Sequence, residues 1–429
     1  MKILRKILTA ATAFALSFSP SFASQPPDPS TLSGESAVLM EAGSSEVLYE
    51  KNGDAKIFPA STTKIMTAIL ALENLDLDKS ITVPDDFPFV DGSSMYLLSG
   101  ETFTVREYLE ALLVHSANDA AYLLGLEVSG GNIGDFVKKM NDKASELGCT
   151  HTHFVNPHGL HDENHYSTAK DMAKIAVYAM QNEEFRKIVS MQGITLHETE
   201  KTKEKRMYSS TNRFLWCESP MIYKNEYIPI KYDKIDGIKT GYTLEAGNCL
   251  ISSATEGEMR LISSVYKASG FDMYRDSRTL IDYGLENFSV QKLVAKGEFL
   301  ASKNIKLSVQ KKLDAEMSRD VYRVMRKGDS VTFEKTVEFG DLKLPVVKGQ
   351  KVGTITIDVQ GDRQKYDVLA SNDVESVFTI KHLKEIIFSL PKHLTKRNIM
   401  IFVGILILIF IIKRIIKRRR RRYRRYRRY

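Results

Sequence analysis

The chain has 429 residues, 43% of them hydrophobic and 27% charged, and a formal net charge of +8. That charge sits at the ends: residues 1–23 hold three basic side chains and no acidic one, residues 399–429 hold twelve and none, and residues 24–398 are left at −7. Such a body has no basic surplus for a nucleic-acid groove, and three widely spaced cysteines without a C-x-x-C indicate neither a disulfide framework nor a zinc ribbon.

In chain order, Lys2, Arg5 and Lys6, the apolar run from Ile7 to Phe18 and the small-x-small triplet Ser21-Phe22-Ala23 predict a signal peptide over residues 1–23. The apolar run is shorter than the ~20 residues needed to cross a bilayer. Residues 24–36, with Pro26, Pro27 and Pro29, read as a linker. Ala37 to Met40 and Glu46 to Tyr49, separated by Ala42-Gly43-Ser44-Ser45, read as a β-hairpin. Helical periodicity follows at Ile65 to Leu75, Val105 to Val114, Asp119 to Val128, Ile133 to Leu147 and Thr168 to Met180. Strands return at Ile235 to Ile238, Asn248 to Ser253 and Leu261 to Tyr266, before a helix from Tyr274 to Leu285. Strands at both ends with helices between predict an α/β (α+β) domain over residues 37–288, built on a mainly antiparallel sheet.

From residue 289 to 370 the texture changes to short β-rich runs such as Val352 to Ile357, which predict a small all-β, sandwich-like domain. Residues 371–396 read as an amphipathic helix or linker. Residues 397–417 are aliphatic enough for a membrane anchor if Lys413 and Arg414 snorkel to the headgroups. Residues 418–429 are arginine with tyrosine at every third place, a tail expected to stay in the cytoplasm and meet anionic membrane lipid. The expectation is an exported domain on the outer face of the cytoplasmic membrane, held by its C-terminal segment. The rival reading of the tail, a nucleic-acid-binding arm, suits an exported and anchored chain poorly.

Three short motifs carry chemistry. Ser61-Thr62-Thr63-Lys64 opens an apolar helix, and side chains three apart on a helix share a face. A serine hydroxyl needs a base beside it, and a lysine serves as one only if burial or positive neighbours lower its pKa. Ser116-Ala117-Asn118 lies between two helices. There Ser116 is placed to relay a proton to a leaving amine, and Asn118 to hold a substrate amide and Lys64. Lys239-Thr240-Gly241 lies on a strand. Lys239 and Thr240 are suited to grip a carboxylate, and Gly241 to let a ligand approach the backbone. The N–H groups of Ser61 and Tyr242 would then form an oxyanion hole. Each motif alone is cheap: Ser167…Lys170, Ser264…Lys267 and Ser308…Lys311 repeat the first spacing, and Ser210…Asn212 and Ser302…Asn304 the second. Helix caps and a basic edge strand account for any one of them.

In combination and in this order, the motifs form the signature of penicillin-binding proteins and class A β-lactamases, with Ala117 where aspartate is usual. The chain resembles, over nearly its whole length, the low-molecular-weight D-alanyl-D-alanine carboxypeptidases (the S11 serine peptidase family). Pro59 to Thr67, Ser116 to Ala121, Phe154 to Leu160 and Asp236 to Thr243 carry the likeness. The resemblance implies a serine transpeptidase/β-lactamase-like catalytic domain followed by that family's C-terminal β domain. It implies a peptidoglycan stem peptide ending in D-Ala-D-Ala as substrate, Ser61 as the residue acylated by substrate and by β-lactam antibiotics, and no cofactor or metal. By position it also implies that Arg275, with Arg260 the weaker match, helps bind the terminal carboxylate. The family's anchor is usually an amphipathic helix on the membrane surface, so a spanning and an interfacial anchor both stay open.

Three other readings remain. A metallopeptidase is suggested by six of the nine histidines falling between His115 and His165, but His161-Asp162-Glu163-Asn164-His165 is not H-E-x-x-H. A β-lactamase would need an extra glutamate for deacylation, for which Glu163 is the one tempting acid. A catalytically silent wall-binding protein would keep the fold without the chemistry.

Overall fold

The computed structural model describes residues 25–359 and 361–377. The predicted signal peptide, membrane anchor and basic tail lie outside the described residues. The described chain forms two compact units, one running to Leu293 and including Val321–Val331, the other made of Val294–Asp320 and the residues from Thr332 onward.

The first unit is organised by a five-stranded antiparallel sheet. Its strands are β1 (Ser36–Glu41), β2 (Val47–Lys51), β3 (Ile235–Thr243), β4 (Gly247–Glu256) and β5 (Met259–Ala268), in the spatial order β2-β1-β5-β4-β3. Side chains alternate across a strand, and here both faces are covered. Val38 and Met40 of β1 face one apolar core with Ile251 and Ile262, while Ala37 and Leu39 face a second with Leu250 and Leu261. That is why every residue of β1 is buried.

The helices are α1 (Lys64–Asn74), α2 (Val105–Glu110), α3 (Asn118–Ser129), α4 (Ile133–Glu146), α5 (Ala169–Ala179), α6 (Glu183–Val189) and α7 (Asp272–Asn287). Helix α1 is buried over its first eight residues, as expected of a helix apolar all round. With α3, α4 and α5 it fills the first core, while α7 contributes to the second, together with Phe214 and Leu215 of the short 3-10 helix Arg213–Leu215. Gly284 brings α7 close to the sheet: a Cβ there would lie 2.6 Å from Leu261 Cδ1 and 2.9 Å from Leu39 Cδ2.

In the first unit the predicted helices and strands are present, with α6 and the hairpins Gly193–Leu196/Arg206–Ser209 and Pro220–Tyr223/Glu226–Pro229 in addition. Two boundaries differ from expectation. Residues 32–36 do not behave as a linker: Leu32 is buried in the second core, and Gly34 N–H donates to Asp276 Oδ2 at 2.8 Å. Nor do the units divide cleanly near residue 289, because Val321–Arg326 returns to pair with Phe288–Val294 in the first unit.

The second unit is all β, a five-stranded antiparallel sheet of β6 (Phe299–Asn304), β7 (Lys312–Met317), β8 (Glu334–Phe339), β9 (Lys351–Val359) and β10 (Asp362–Ala370), ordered β6-β7-β10-β9-β8. Residues 373–377, expected to start a helix, are instead extended: Val374 is buried and bridges to Val346, and Ser376 bridges to Ser308. The rest of that predicted helix lies outside the described residues. Among the described residues no helix is long and apolar enough to cross a membrane.

Candidate active site

The nucleophile turn is built first. Pro59 leads into a tight 3-10 turn, Ala60–Thr63, which runs directly into α1. Three hydroxyls fasten it. Thr62 Oγ1 donates to Pro59 C=O at 2.6 Å and lies 2.9 Å from Tyr266 Oη of β5, Thr63 Oγ1 lies 2.8 Å from His165 Nε2, and Thr67 Oγ1 donates to Pro157 C=O at 2.5 Å.

On this turn Lys64 is fully buried while Ser61 keeps partial access to solvent. Lys64 Nζ lies 2.9 Å from Ser61 Oγ and donates to His158 C=O at 2.7 Å. Burial above all, and then the charge of Lys239, hold the Lys64 amine well below its ordinary pKa, with Asp119 pulling weakly the other way. A neutral amine has one lone pair to offer a hydroxyl proton, so the spacing seen in sequence becomes a nucleophile–base pair.

The second motif is shaped by helix distortion. Helix α2 widens into a π-turn over Ala111–His115, which ends at Ser116 in the left-handed conformation (φ 72°), with its N–H donating to Ala111 C=O. Such turns recur at functional sites, and a left-handed serine is a conformation the surroundings must impose. Ser116 is 4% exposed, and Ala117 is packed wholly inside. Asn118 donates through Nδ2 to Asp91 C=O at 2.5 Å, leaving its buried Oδ1 without a partner. An unpaired buried acceptor is costly, and its chemistry fits the N–H of a substrate amide. The expected Asn118–Lys64 bond is not formed; the partners of Lys64 Nζ are Ser61 Oγ and the His158 carbonyl.

Asp119, one residue on, accepts from Ser94 Oγ at 2.5 Å and from the N–H groups of Met95 and Leu97 at 3.1 Å. Its carboxylate therefore ties the loop ahead of α2 to the start of α3. Sequence reasoning gave it no role.

The third motif lies on β3, which among the described residues pairs only with β4 and so forms an edge of the sheet. Lys239 is fully buried, donates to Thr240 C=O at 3.1 Å, and is pushed down by burial to a pKa of about 7. Thr240 Oγ1 donates to Thr211 Oγ1 at 2.8 Å, and Thr211 N–H donates to Val114 C=O at 3.0 Å, linking the strand to the π-turn. Tyr242 has an exposed side chain, and its residue pairs with Asn248 in the sheet register.

Two of the expected substrate residues have near neighbours of their own. A Cβ on Gly241 would lie 3.1 Å from Pro59 O and Ser61 N and 3.2 Å from Ala60 Cβ, so the glycine also makes room for the nucleophile turn. Arg275 is not drawn to Lys239 and Thr240: on α7 its guanidinium pairs with Asp272 at 3.1 Å and Asp276 at 3.4 Å. Arg260 is likewise taken by Asp236 at 2.7 Å and Ser253 at 2.6 Å. Arg213, two residues from Thr211, lies over the Phe271 ring at 4.3 Å and has no carboxylate partner among the described residues.

The histidines considered as metal ligands do other work. His161 packs edge-on against Phe58 and His165 holds Thr63. Among the described residues no group of His, Cys, Asp or Glu is arranged to hold a metal ion. All three cysteines are free and buried.

Comparison with known proteins gives the same answer along most of the chain. The family profile described as D-alanyl-D-alanine carboxypeptidase matches residues 21–270, and that described as penicillin-binding protein 5, C-terminal domain, matches residues 288–376. The D-alanyl-D-alanine carboxypeptidase DacF of Bacillus subtilis is 34% identical over 359 residues, 82% of this chain and 88% of that protein. DacA of Haemophilus influenzae is 30% identical, covering 81% of this chain and 86% of the relative. The crystal structure of penicillin-binding protein 5 from Haemophilus influenzae superposes with a TM-score of 0.61 at 28% identity, over 82% of this chain and all of that one.

Proposed function

The chain belongs to the D-alanyl-D-alanine carboxypeptidase family of serine peptidases, S11, and from that premise we propose how its residues remove the terminal D-Ala of a peptidoglycan stem peptide. The observation that carries the proposal is the buried Lys64 amine shared between Ser61 Oγ and the His158 carbonyl.

Ser61 Oγ attacks the carbonyl carbon of the penultimate D-Ala as its proton passes to Lys64 Nζ. The oxyanion is received by the N–H groups of Ser61 and Tyr242, donors fixed before charge develops. The C–N bond then breaks, the departing D-Ala nitrogen takes a proton relayed through Ser116, and an ester on Ser61 remains. Water, deprotonated by the same lysine, releases the shortened peptide. The edge strand β3 aligns the extended substrate by main-chain hydrogen bonds, Asn118 Oδ1 accepts from its amide, and Lys239 with Thr240 grips the carboxylate. Arg275 would join them only by giving up Asp272 or Asp276. A β-lactam acylates Ser61 by the same attack, but its leaving nitrogen stays tethered.

We further propose that the enzyme works outside the cytoplasmic membrane. The signal-like residues 1–23, the aliphatic residues 397–417 and the arginine-rich tail facing anionic lipid support this reading.

The test is a time course of intact mass for the chain mixed with benzylpenicillin. A one-to-one adduct that lasts minutes and is absent in Ser61→Ala is expected, together with D-Ala release from a pentapeptide. Rapid loss of penicillin without an adduct would point to a β-lactamase. Neither adduct nor turnover would leave a silent wall-binding protein.

A further inference from the structure

One loop meets the nucleophile turn and the first turn of α1 four times. Residues 153–166 leave and rejoin the body through the backbone pairing of His153 with Tyr166. Between these ends, Pro157 C=O accepts from Thr67 Oγ1 and His158 C=O accepts from Lys64 Nζ. Gly159 (φ 89°) lies so near the turn that a Cβ on it would stand 1.8 Å from Ala60 O. The fourth contact is between side chains, His165 Nε2 and Thr63 Oγ1 at 2.8 Å.

His165 is 2% exposed, and its protonation is decided by its neighbours. Val155 N–H donates to Nδ1 at 3.1 Å, so that nitrogen bears no hydrogen. The hydrogen is therefore on Nε2, which donates to Thr63 Oγ1. Burial keeps the ring neutral, with a pKa of about 4; Asp162 opposes this, and His153, His161 and Lys64 reinforce it. Asn156 stiffens the segment between the contacts, its Oδ1 accepting from the N–H groups of His158 and Gly159 and its Nδ2 donating to Leu160 C=O.

We propose that His165 is a positioning residue for the Ser61–Lys64 pair: through Thr63 Oγ1 it clamps the 153–166 loop to the first turn of α1 and so keeps the His158 carbonyl on Lys64 Nζ. The inference rests on the reading of Lys64 as the base. If the clamp is loosened, the His158 carbonyl drifts and water reaches Lys64. Hydration favours the charged amine, and a lysine that binds its proton more tightly becomes a working base only at higher pH.

The experiment uses the full chain in detergent micelles and measures the second-order rate of Ser61 acylation by benzylpenicillin from pH 5 to 10, with melting temperatures in parallel. Thr63→Val keeps the shape and removes the hydroxyl. It is expected to raise the midpoint of the acid limb by about one pH unit, equivalent to about a tenfold loss of rate below that limb. Thr63→Ser should restore the wild-type profile. A Thr63→Val enzyme that melts earlier but keeps the wild-type midpoint would show a structural contact only and overturn the proposal. If Thr63→Val does not fold, His165→Phe is read by the same criterion. Failure of the premise looks different: a wild-type chain that acylates with no acid limb, or does not acylate, removes Lys64 as base and the clamp with it.

Discussion

Replacing Gly159 by alanine tests how tightly the active site depends on the loop beneath it. The residue has φ 89°, and a Cβ would stand 1.8 Å from Ala60 O and 2.9 Å from Thr63 Oγ1. Left-handed backbone costs an alanine ~1–2 kcal/mol. Forcing an atom into filled space adds ~1–3 kcal/mol, and the nearest neighbour here is backbone, which cannot rotate away. The sum, ~2–5 kcal/mol, corresponds to a fall in Tm of roughly 4–10 °C for a unit of this size. Gly148→Ala is the control, since that glycine is also left-handed (φ 69°) but has nothing within 4 Å of the added atom; it should cost only the backbone penalty of ~1–2 kcal/mol. Moving the loop also moves the His158 carbonyl from Lys64, and displacements near 1 Å can cost on the order of a hundredfold in rate. Gly159→Ala should therefore acylate with benzylpenicillin at least about tenfold more slowly at neutral pH, whereas Gly148→Ala should match wild type. Melting curves and acylation rates that coincide for the two variants would refute the argument that the loop supports the lysine.

Burial of two lysines makes the enzyme respond to pH in opposite ways. Lys64 works when neutral and Lys239 when charged, so kcat/KM should follow a bell, with a basic limb near pH 7 in the free enzyme from Lys239; Lys239→Ala should lower the plateau and remove that limb. Between about 7 and the ordinary lysine value of 10.5 the unfolded chain binds the proton that folded Lys239 has lost, so its contribution to stability rises with pH across that window. Denaturant titrations at pH 7 and 9 check the sign by a smaller rise in Lys239→Ala. Asn118→Ala removes the orphaned acceptor and the bond to Asp91, and should reduce kcat/KM by about 10–100-fold, the worth of ~1–3 kcal/mol; an unchanged value would show that Oδ1 does not meet substrate. Thr62→Val deletes both bonds of a buried hydroxyl and should cost ~1–3 kcal/mol in a denaturant titration; no loss would mean that Tyr266 does not brace the turn.

What could be read from the sequence was local. Ser61 and Lys64 are three residues apart at the start of an apolar helix, and helical geometry puts them on one face; the structure has them 2.9 Å apart. The apolar runs of β1, β4 and β5 marked the sheet, and short β-rich runs such as Val352 to Ile357 marked the β unit, because strand signals and turn chemistry act within a few residues. The order of the three motifs narrowed the chain to penicillin-binding proteins and class A β-lactamases, and the stretches around them carried the resemblance to one family.

The contacts that make those motifs a working site join residues far apart in the chain, and only packing could choose them. The second partner of Lys64 is a backbone carbonyl 94 positions away, and any residue type supplies a carbonyl. That Gly241 also lies against the Ala60–Thr63 turn could not be read from the sequence, because the turn is about 180 residues upstream. Arg275 was chosen by its place in the chain, and only the folded α7 shows that its guanidinium pairs with Asp272 and Asp276. The depressed pKa of Lys64 has the same origin: a lysine in a sequence is simply basic, and it becomes a base for serine only when tertiary structure removes its water.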